Sequence, residues 1–240
     1  MRKLLRYAAG ITLIFPAALF IYWLALVFPQ PFFRLERVEN LYLYHHADAD
    51  KVRAVGERAL AKIKRSGFYN PSAVYRVFLT DSSVEYAFYT SRWRNSGGVF
   101  LIFANGNIFI RPSLIGDDRL IGPGGQLVAE DRPLHYFIAH EAAHAMQYEK
   151  LGFSKYTALD EWVREGVADR VGRDAANYGE LLAKYRAGDA SMDRNKSGLY
   201  LKYLLLVEYA LREKGLTPES LLERNPSEAG IEEELKNSGK

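Results

Sequence analysis

The sequence predicts an α+β fold in which one transmembrane helix precedes a small antiparallel sheet and a mainly helical C-terminal part. Three observations predict it: an uncharged, mostly apolar run over residues 8–28, short segments rich in aromatic and β-branched residues over residues 73–110, and helical spacing of apolar residues beyond residue 134. The same patterns divide the 240 residues into an anchor (1–30), a connector (31–47), one functional domain (48–225) and a polar tail (226–240).

The composition fits a folded protein and excludes some classes of function. Hydrophobic residues make up 48% of the chain, which is enough to bury a core. The 32 basic and 29 acidic residues are spread along the chain, so the concentrated basic stripe needed for nucleic-acid binding is missing, and we expect no nucleic-acid partner. Because the chain has no cysteine, any transition-metal site must use histidines and carboxylates.

The apolar run over residues 8–28 predicts an anchor in a lipid bilayer. At about 1.5 Å per residue it spans roughly 32 Å, close to the hydrocarbon thickness of a membrane. A cleavable signal peptide would have a shorter apolar region ending in small residues, so we predict an uncleaved anchor. Arg2, Lys3 and Arg6 precede the run, and the positive-inside rule then predicts an extracytoplasmic domain, on the periplasmic side of the inner membrane if the protein is bacterial.

Residues 48–65 predict the first helix of the domain. Apolar residues recur there at helical spacing, Asp48 is placed to cap the N-terminus, and a Ser-Gly pair follows as a stop signal. Just before this helix, His45 and His46 lie near two aspartates, a pattern that would also suit a second metal site. We interpret both histidines as part of a solvated connector.

The remaining predicted elements are four strands and five helices. The strand segments are rich in aromatic or β-branched residues, and the turn Asn105-Gly106 between the last two is the strongest hairpin signal in the chain. The predicted strands cover residues 74–79, 84–89, 99–104 and 108–110. The predicted helices cover residues 134–151, 159–174, 178–185, 198–214 and 218–224, and a frayed tail follows.

The most informative stretch is His140-Glu141-Ala142-Ala143-His144, which reads H-E-x-x-H inside a helical pattern. Helical positions four apart lie on the same face, so His140 and His144 can meet one metal ion. Glu141 lies on the neighbouring edge, where a carboxylate can reach a metal-activated water without ligating the metal. His135 lies well off this face and is interpreted as structural.

A tetrahedral zinc with two histidines still needs a third protein ligand. A third histidine six residues after the motif would indicate the metzincin subclass, but Lys150 occupies that position. Further on, residues 161–169 form a helical patch with three carboxylates, of which Glu165 and Asp169 lie one turn apart on the same face. A glutamate from this patch would complete a site of two histidines and one glutamate, with Glu161 as the rival of Glu165.

Together, these residues resemble the zincin metallopeptidases and, within them, the gluzincin subgroup. The resemblance rests on the H-E-x-x-H motif and on the later Trp162-x-x-Glu165-Gly166-x-Ala168-Asp169, and it covers about residues 131–174. It implies Zn²⁺ as the cofactor. The roles it implies are zinc ligands for His140, His144 and Glu165, the general base for Glu141, and a carboxylate that orients a ligand histidine for Asp169.

The resemblance also implies a fold in which the sheet packs on the active-site helix and its edge strand pairs with an extended peptide. The hairpin over residues 99–111 is placed to supply that edge. Gluzincins commonly add a tyrosine or histidine that stabilises the oxyanion, and the helix that begins at Gly198 offers Tyr200 and Tyr203 as candidates. We predict Tyr200, although an alignment on Gly198 would place Asn195 at that position.

The sequence therefore predicts a membrane-anchored zinc metallopeptidase that hydrolyses a peptide or protein substrate through a zinc-activated water, with Glu141 as general base. The alternative is a zincin-like domain that binds zinc and a protein partner as an assembly factor or sensor, without significant turnover. The presence of Glu141 favours catalysis, because an inactive relative would often have lost it. A third interpretation is a structural helical domain in which the motif is accidental. The substrate, endo- or exopeptidase action and the oligomeric state do not follow from the sequence.

Overall fold

The computed structural model describes residues 2–93, 95–174 and 177–238, without the side chains of residues 2–14 and 92. It has the predicted α+β class, with a five-stranded sheet, a separate pair of short strands and helices on both faces of the larger sheet. The helices of this described part are α1 (Arg2–Val27), α2 (Ala49–Lys64), α3 (Ser83–Thr90), α4 (Leu134–Thr157), α5 (Glu161–Gly172), α6 (Tyr178–Arg186), α7 (Arg194–Ser197), α8 (Leu201–Arg212), α9 (Pro218–Arg224) and α10 (Glu228–Asn237). The strands are β1 (Arg34–Val38), β2 (Leu41–His45), β3 (Tyr75–Leu79), β4 (Gly98–Leu101), β5 (Asn107–Ile110), β6 (Ser113–Leu114) and β7 (Arg119–Leu120).

The larger sheet has the strand order β1-β2-β3-β5-β4 and mixes strand directions. β1 pairs antiparallel with β2, and β4 with β5, whereas β2, β3 and β5 run parallel. Parallel strands need a crossover connection, and α2 provides one between β2 and β3. The prediction of an antiparallel sheet is therefore wrong, while the hairpin through Asn105-Gly106 is confirmed. β4 lies at an edge of the sheet.

The strand predicted over residues 84–89 is a helix, α3, and this prediction is wrong. The Ser82 side chain caps the helix by accepting a hydrogen bond from the Glu85 N–H at 3.1 Å. Tyr86 and Tyr89, three residues apart, are both buried, whereas Val84 is 81% exposed. A strand would place Val84 and Tyr86 on the same face, so the burial follows the helical period instead.

The predicted connector, residues 31–47, instead contains the hairpin of β1 and β2. Its turn uses Glu39 at a positive φ of 53°, a conformation that non-glycine residues adopt mainly in turns. Leu41 and Leu43 alternate along β2 and are fully buried, because successive side chains of a strand point to opposite faces. This segment therefore belongs to the folded domain.

The two histidines at the end of this segment are not solvated as predicted. His45 is buried, and its Nδ1 donates to the Ala47 carbonyl at 3.1 Å. His46 is half-buried and lies 3.0 Å from a Glu85 carboxylate oxygen. The predicted capping role of Asp48 is confirmed, since its side chain accepts from the backbone N–H groups two and three residues further on, at 3.1 and 3.2 Å.

Alternation along β3 and β5 separates two apolar clusters. Val77, Leu79 and Ile108 belong to the larger core, which also contains residues of α2, α4, α5 and α8. Phe78 and Phe109 lie on the opposite face, with their ring centroids 5.1 Å apart, in a cluster that includes residues of α1 and α3. The sheet thereby packs α4 against one face, next to the β4 edge.

The predicted anchor corresponds to α1, although residue 1 and the side chains of residues 2–14 lie outside the described part. The C-terminal end of α1 contacts the domain: the Tyr22 hydroxyl donates to the Phe88 carbonyl at 2.6 Å, and Asn107 Nδ2 donates to the Leu26 carbonyl at 2.8 Å. No helix among the described residues is both long and apolar enough to cross a membrane. The extracytoplasmic location of the domain stays a prediction.

The predicted helices after the motif are confirmed with shifted ends. The prediction that the polar tail is frayed is wrong. Residues 228–237 form α10, in which Ile231 and Leu235, four residues apart, are buried. Lys202 of α8 lies 2.8 and 2.9 Å from carboxylate oxygens of Glu228 and Glu232. This amphipathic helix packs on α8 because its sparse apolar residues share one face.

Candidate metal centre

α4 carries the H-E-x-x-H motif through the interior of the domain. His140, Glu141 and His144 are each at most 7% exposed. Ala142 and Ala143 between them are fully buried, so neighbouring elements can approach the helix closely. The two imidazole centroids lie 5.0 Å apart, which places both rings over the same space, as their helical spacing predicts.

α5 brings Glu165 to the two histidines. Its neighbour Gly166 packs so closely on α8 that an added Cβ would lie 2.8 Å from the Tyr203 carbonyl oxygen. Glu165 Oε2 lies 3.4 Å from Nε2 of His140 and 3.4 Å from Nε2 of His144. The two imidazole nitrogens therefore converge on one carboxylate oxygen.

These three side chains form a buried cluster that could hold a metal ion, with ligand atoms all within 4.8 Å of one another. His140, His144 and Glu165 are called the metal group. Tetrahedral ligands about 2.0–2.1 Å from a metal lie roughly 3.4 Å apart, and the histidine–glutamate distances are 3.4 Å. The donor set and its spacing thus fit a metal with an open fourth position.

The charge state of Glu165 also suits a ligand. Burial by itself would raise the pKa of Glu165, but the charge of His144 and hydrogen bonds from His140 and His144 hold this pKa well below its usual range. The carboxyl group is therefore ionised at neutral pH, as metal ligation requires.

Glu141 lies beside this group and is positioned by β4. Burial raises the pKa of Glu141 to about 7, although the charge of His144 and a hydrogen bond from the Phe100 backbone N–H lower it. Gly98 leaves room for the side chain, because an added Cβ would lie only 2.5 Å from Glu141 Cγ. A carboxylate with a pKa near 7 suits proton transfer at neutral pH.

The predicted role of Asp169 needs a correction. Asp169 accepts a hydrogen bond from the Tyr136 hydroxyl and another from Arg173 Nε at 2.8 Å. Within the described residues, Nδ1 of His140 and Nδ1 of His144 have no hydrogen-bond partner. Asp169 therefore orients no ligand histidine directly. It holds Tyr136, whose ring centroid lies 5.7 Å from that of His140.

Of the two candidate tyrosines, Tyr200 reaches the site. Its ring stacks on His140 with centroids 5.8 Å apart. Burial, reinforced by the charge of Glu165, raises the pKa of Tyr200 despite the opposing charge of Arg194, so the hydroxyl keeps its proton. Tyr203 instead donates to Glu161 at 3.4 Å.

The metal group opens into a cleft of about 1080 Å³ that runs along α4. β4 forms one wall and Tyr200 contributes to another. Tyr200 also lines a smaller cavity of about 420 Å³, which Tyr203 and Asn195 share. The larger cleft therefore joins the β4 edge to the metal group.

Sequence reasoning missed three groups around the site: Tyr136, Gly98 and the Phe100 backbone N–H. Tyr136 precedes His140 by four residues in the same helix, so helical spacing could have identified it. Nothing in the sequence indicates that the backbone of β4 touches Glu141, because that contact depends on how the sheet packs on α4.

Comparison with models of protein families, with curated proteins and with solved structures finds no match to this chain. The assignment of the site therefore rests on the motif and on the geometry of His140, Glu141, His144 and Glu165.

Replacing Glu165 should weaken metal binding far more than replacing Glu161. In the structure Glu161 pairs with Arg194 rather than with the histidines. We expect Glu165→Gln to lower zinc affinity by more than the about 10–100-fold cost of losing an outer partner of a ligand, and Glu161→Gln to change it little. Competition with a chelator of known affinity measures both. Equal losses in the two variants would remove Glu165 from the ligand set.

Proposed function

We propose that this chain is a zinc-dependent metallopeptidase of gluzincin type that hydrolyses peptide bonds. The observation that carries the proposal is the convergence of two imidazole nitrogens on Glu165 Oε2, each at 3.4 Å, with the unligated carboxylate of Glu141 beside them in an open cleft.

The donor set supports zinc as the metal. Imidazole nitrogens and one carboxylate suit Zn²⁺, and three protein ligands with a free fourth position are typical of catalytic rather than structural zinc. When bound, zinc would acidify a water molecule and polarise the carbonyl of the scissile bond.

Glu141 is the proposed general base. It accepts a proton from the attacking water and passes that proton to the leaving amine. Its burial, its pKa of about 7 and the hydrogen bond from Phe100 support this role, because they keep the carboxylate in one place and able to exchange a proton at neutral pH.

Two further elements of the cleft support peptide binding. β4 is an edge strand, so its outer backbone groups can pair with an extended peptide as an added strand. Tyr200, which stacks on His140, can donate a hydrogen bond to the oxyanion that forms on the cleaved carbonyl.

The test uses the full-length chain and a complex peptide mixture. Zinc-loaded protein, protein stripped by a chelator and protein with zinc restored are incubated with the peptides, and mass spectrometry identifies new termini. We expect cleavage in the first and third samples only. Stoichiometric zinc without cleavage would overturn the peptidase proposal and favour the alternative, a zinc-binding module for a protein partner. Cleavage that survives chelation would remove zinc from the mechanism.

Gly98→Ala should reduce cleavage without reducing zinc binding. The added methyl group would lie 2.5 Å from Glu141 Cγ and displace the general base. The atoms nearest to that methyl group belong to Glu141 and Ile110, and none of them belongs to the three convergent ligand residues. We expect kcat/KM to fall about 10-fold or more, since small displacements of a catalytic group are costly. Gly179→Ala is the control, because its Cβ would meet nothing closer than 3.5 Å. Unchanged kcat/KM in Gly98→Ala would show that β4 does not position Glu141.

A further inference from the structure

The charged residues that line the cleft are mostly paired with one another. Glu161 pairs with Arg194, and Asp169 pairs with Arg173 at 2.8 Å. Glu165 belongs to the metal group. These carboxylates are therefore not free to bind a cationic part of a substrate.

Among the arginines of the cleft, Arg132 differs from its neighbours. Arg164 lies 3.3 Å from a Glu165 oxygen, and Arg111 Nε donates to the Ile121 carbonyl at 3.1 Å. Arg132 makes no ion pair with any residue that the structure describes, and its buried Nε has no hydrogen-bond partner there. The side chain is half-buried and lines the cleft. Its charge therefore faces the substrate space without a carboxylate of the protein to balance it.

Arg132 lies within reach of a bound peptide. Its Cζ is 5.9 Å from the centre of the Phe137 ring, and Phe137 precedes Glu141 by about one helical turn of 5.4 Å. The Tyr136 ring, next to Phe137 at 4.9 Å, also packs on His140 at 5.7 Å. Because an extended chain advances about 3.3 Å per residue, these successive contacts place Arg132 within roughly five residues of the cleaved bond.

We propose that Arg132 binds a carboxylate of the peptide substrate, so that the cleft prefers peptides with a carboxylate a few residues from the cleaved bond. The inference rests on the proposed peptidase function. A guanidinium group presents paired N–H donors that match a carboxylate. The carboxylate can come from the peptide C-terminus or from an Asp or Glu side chain, and both present the same group to Arg132.

The test measures binding separately from cleavage. The chain carrying Glu141→Gln is immobilised, loaded with zinc and exposed to pairs of hexapeptides. The two members of a pair, called twins, differ only in that one has a carboxylate where the other has an amide, and mass spectrometry measures the ratio in which the two are retained. In the first set, the twins differ at the C-terminus, which is a free carboxylate in one and an amide in the other. In the second set, the twins differ in one side chain, Asp against Asn or Glu against Gln, placed at each position in turn. We expect about 10-fold enrichment of the carboxylate twin in at least one set, as is usual for a charge-assisted hydrogen bond. The set that shows it identifies the source of the carboxylate.

Variants of Arg132 decide whether this residue causes the preference. Arg132→Gln should bring the ratio close to one, and Arg132→Lys should give an intermediate ratio, since it keeps the charge but loses the paired donors. Arg119→Gln is the matched control, because Arg119 pairs with Glu130 at 3.1 Å and does not line the cleft. Equal retention of all twins, or a preference that persists in Arg132→Gln, would overturn the proposal.

Cleavage by the chain with Glu141 intact distinguishes the two proposals. If it hydrolyses peptides in a zinc-dependent way but treats the twins alike and binds them alike, the carboxylate site fails and the peptidase function stands. If the preference in binding depends on Arg132 and no peptide is cleaved, the carboxylate site stands and the peptidase function fails.

Discussion

Replacing Glu141 with glutamine is expected to lower kcat/KM for peptide cleavage by about 10²–10⁴-fold, the usual contribution of a positioned general base. Glutamine has nearly the same size, so it fits the space that Gly98 leaves for the side chain. Its amide cannot accept a proton from water. Glu141 is not among the residues whose ligand atoms converge, so zinc should still bind. Steady-state kinetics and the zinc content of the same samples check both expectations.

The control for this variant is Glu149→Gln, which removes an exposed carboxylate further along the same helix. We expect it to leave both kcat/KM and zinc content close to those of the wild-type chain. A Glu141→Gln variant that cleaves at the wild-type rate would exclude Glu141 as the base. Loss of zinc in that variant would instead show that Glu141 is a ligand.

Replacing both His140 and His144 with alanine should abolish stoichiometric zinc binding and, with it, hydrolysis. Glu165 alone would remain of the three convergent groups, and one carboxylate is a weak site for zinc. A ligand that binds only the folded state at 100 times its Kd stabilises it by about 2.7 kcal/mol. We therefore expect zinc to raise the Tm of the wild-type chain and not that of the double variant.

Thermal unfolding with and without zinc, together with metal analysis, measures these effects. His135→Ala is the control, because His135 lies on the same helix but pairs with Asp118 at 2.5 Å, away from the metal group. Circular dichroism of the metal-free double variant shows whether it still folds. A folded double variant that retains one zinc per chain would contradict the site.

The elements that the sequence predicted well are those whose pattern is local. Periodic apolar residues predicted α2, α4, α5, α6, α8 and α9 near their observed positions, and Asn105-Gly106 predicted the β4–β5 hairpin. The short α7 was not predicted. α3 was predicted wrongly, because a short aromatic-rich segment satisfies both the strand composition and the helical spacing of Tyr86 and Tyr89. The parallel pairing of β2, β3 and β5 joins segments that are distant in the sequence. No local sequence pattern predicts such a pairing.

The same distinction holds within the site. Helical periodicity alone places His140 and His144 over one space and Glu141 at its edge. The choice between Glu161 and Glu165 depends on the crossing of α5 over α4, and only the packing shows that Glu161 pairs with Arg194. The partners of Asp169 divide in the same way. Arg173 lies four residues further along the chain, within reach of helical spacing, whereas Tyr136 reaches Asp169 only through the packing of α4 on α5.

The sequence by itself determined the H-E-x-x-H motif and its helix, since both depend on spacing within a single element. The expectation of a glutamate ligand from the following helix came from the resemblance to gluzincins. The tertiary structure alone decided that Glu165 Oε2 lies 3.4 Å from both imidazoles, that β4 positions Glu141, and that Arg132 faces the cleft without an ion-pair partner among the described residues. These contacts join segments far apart in the chain, and their distances are set by how the sheet and the helices pack on α4.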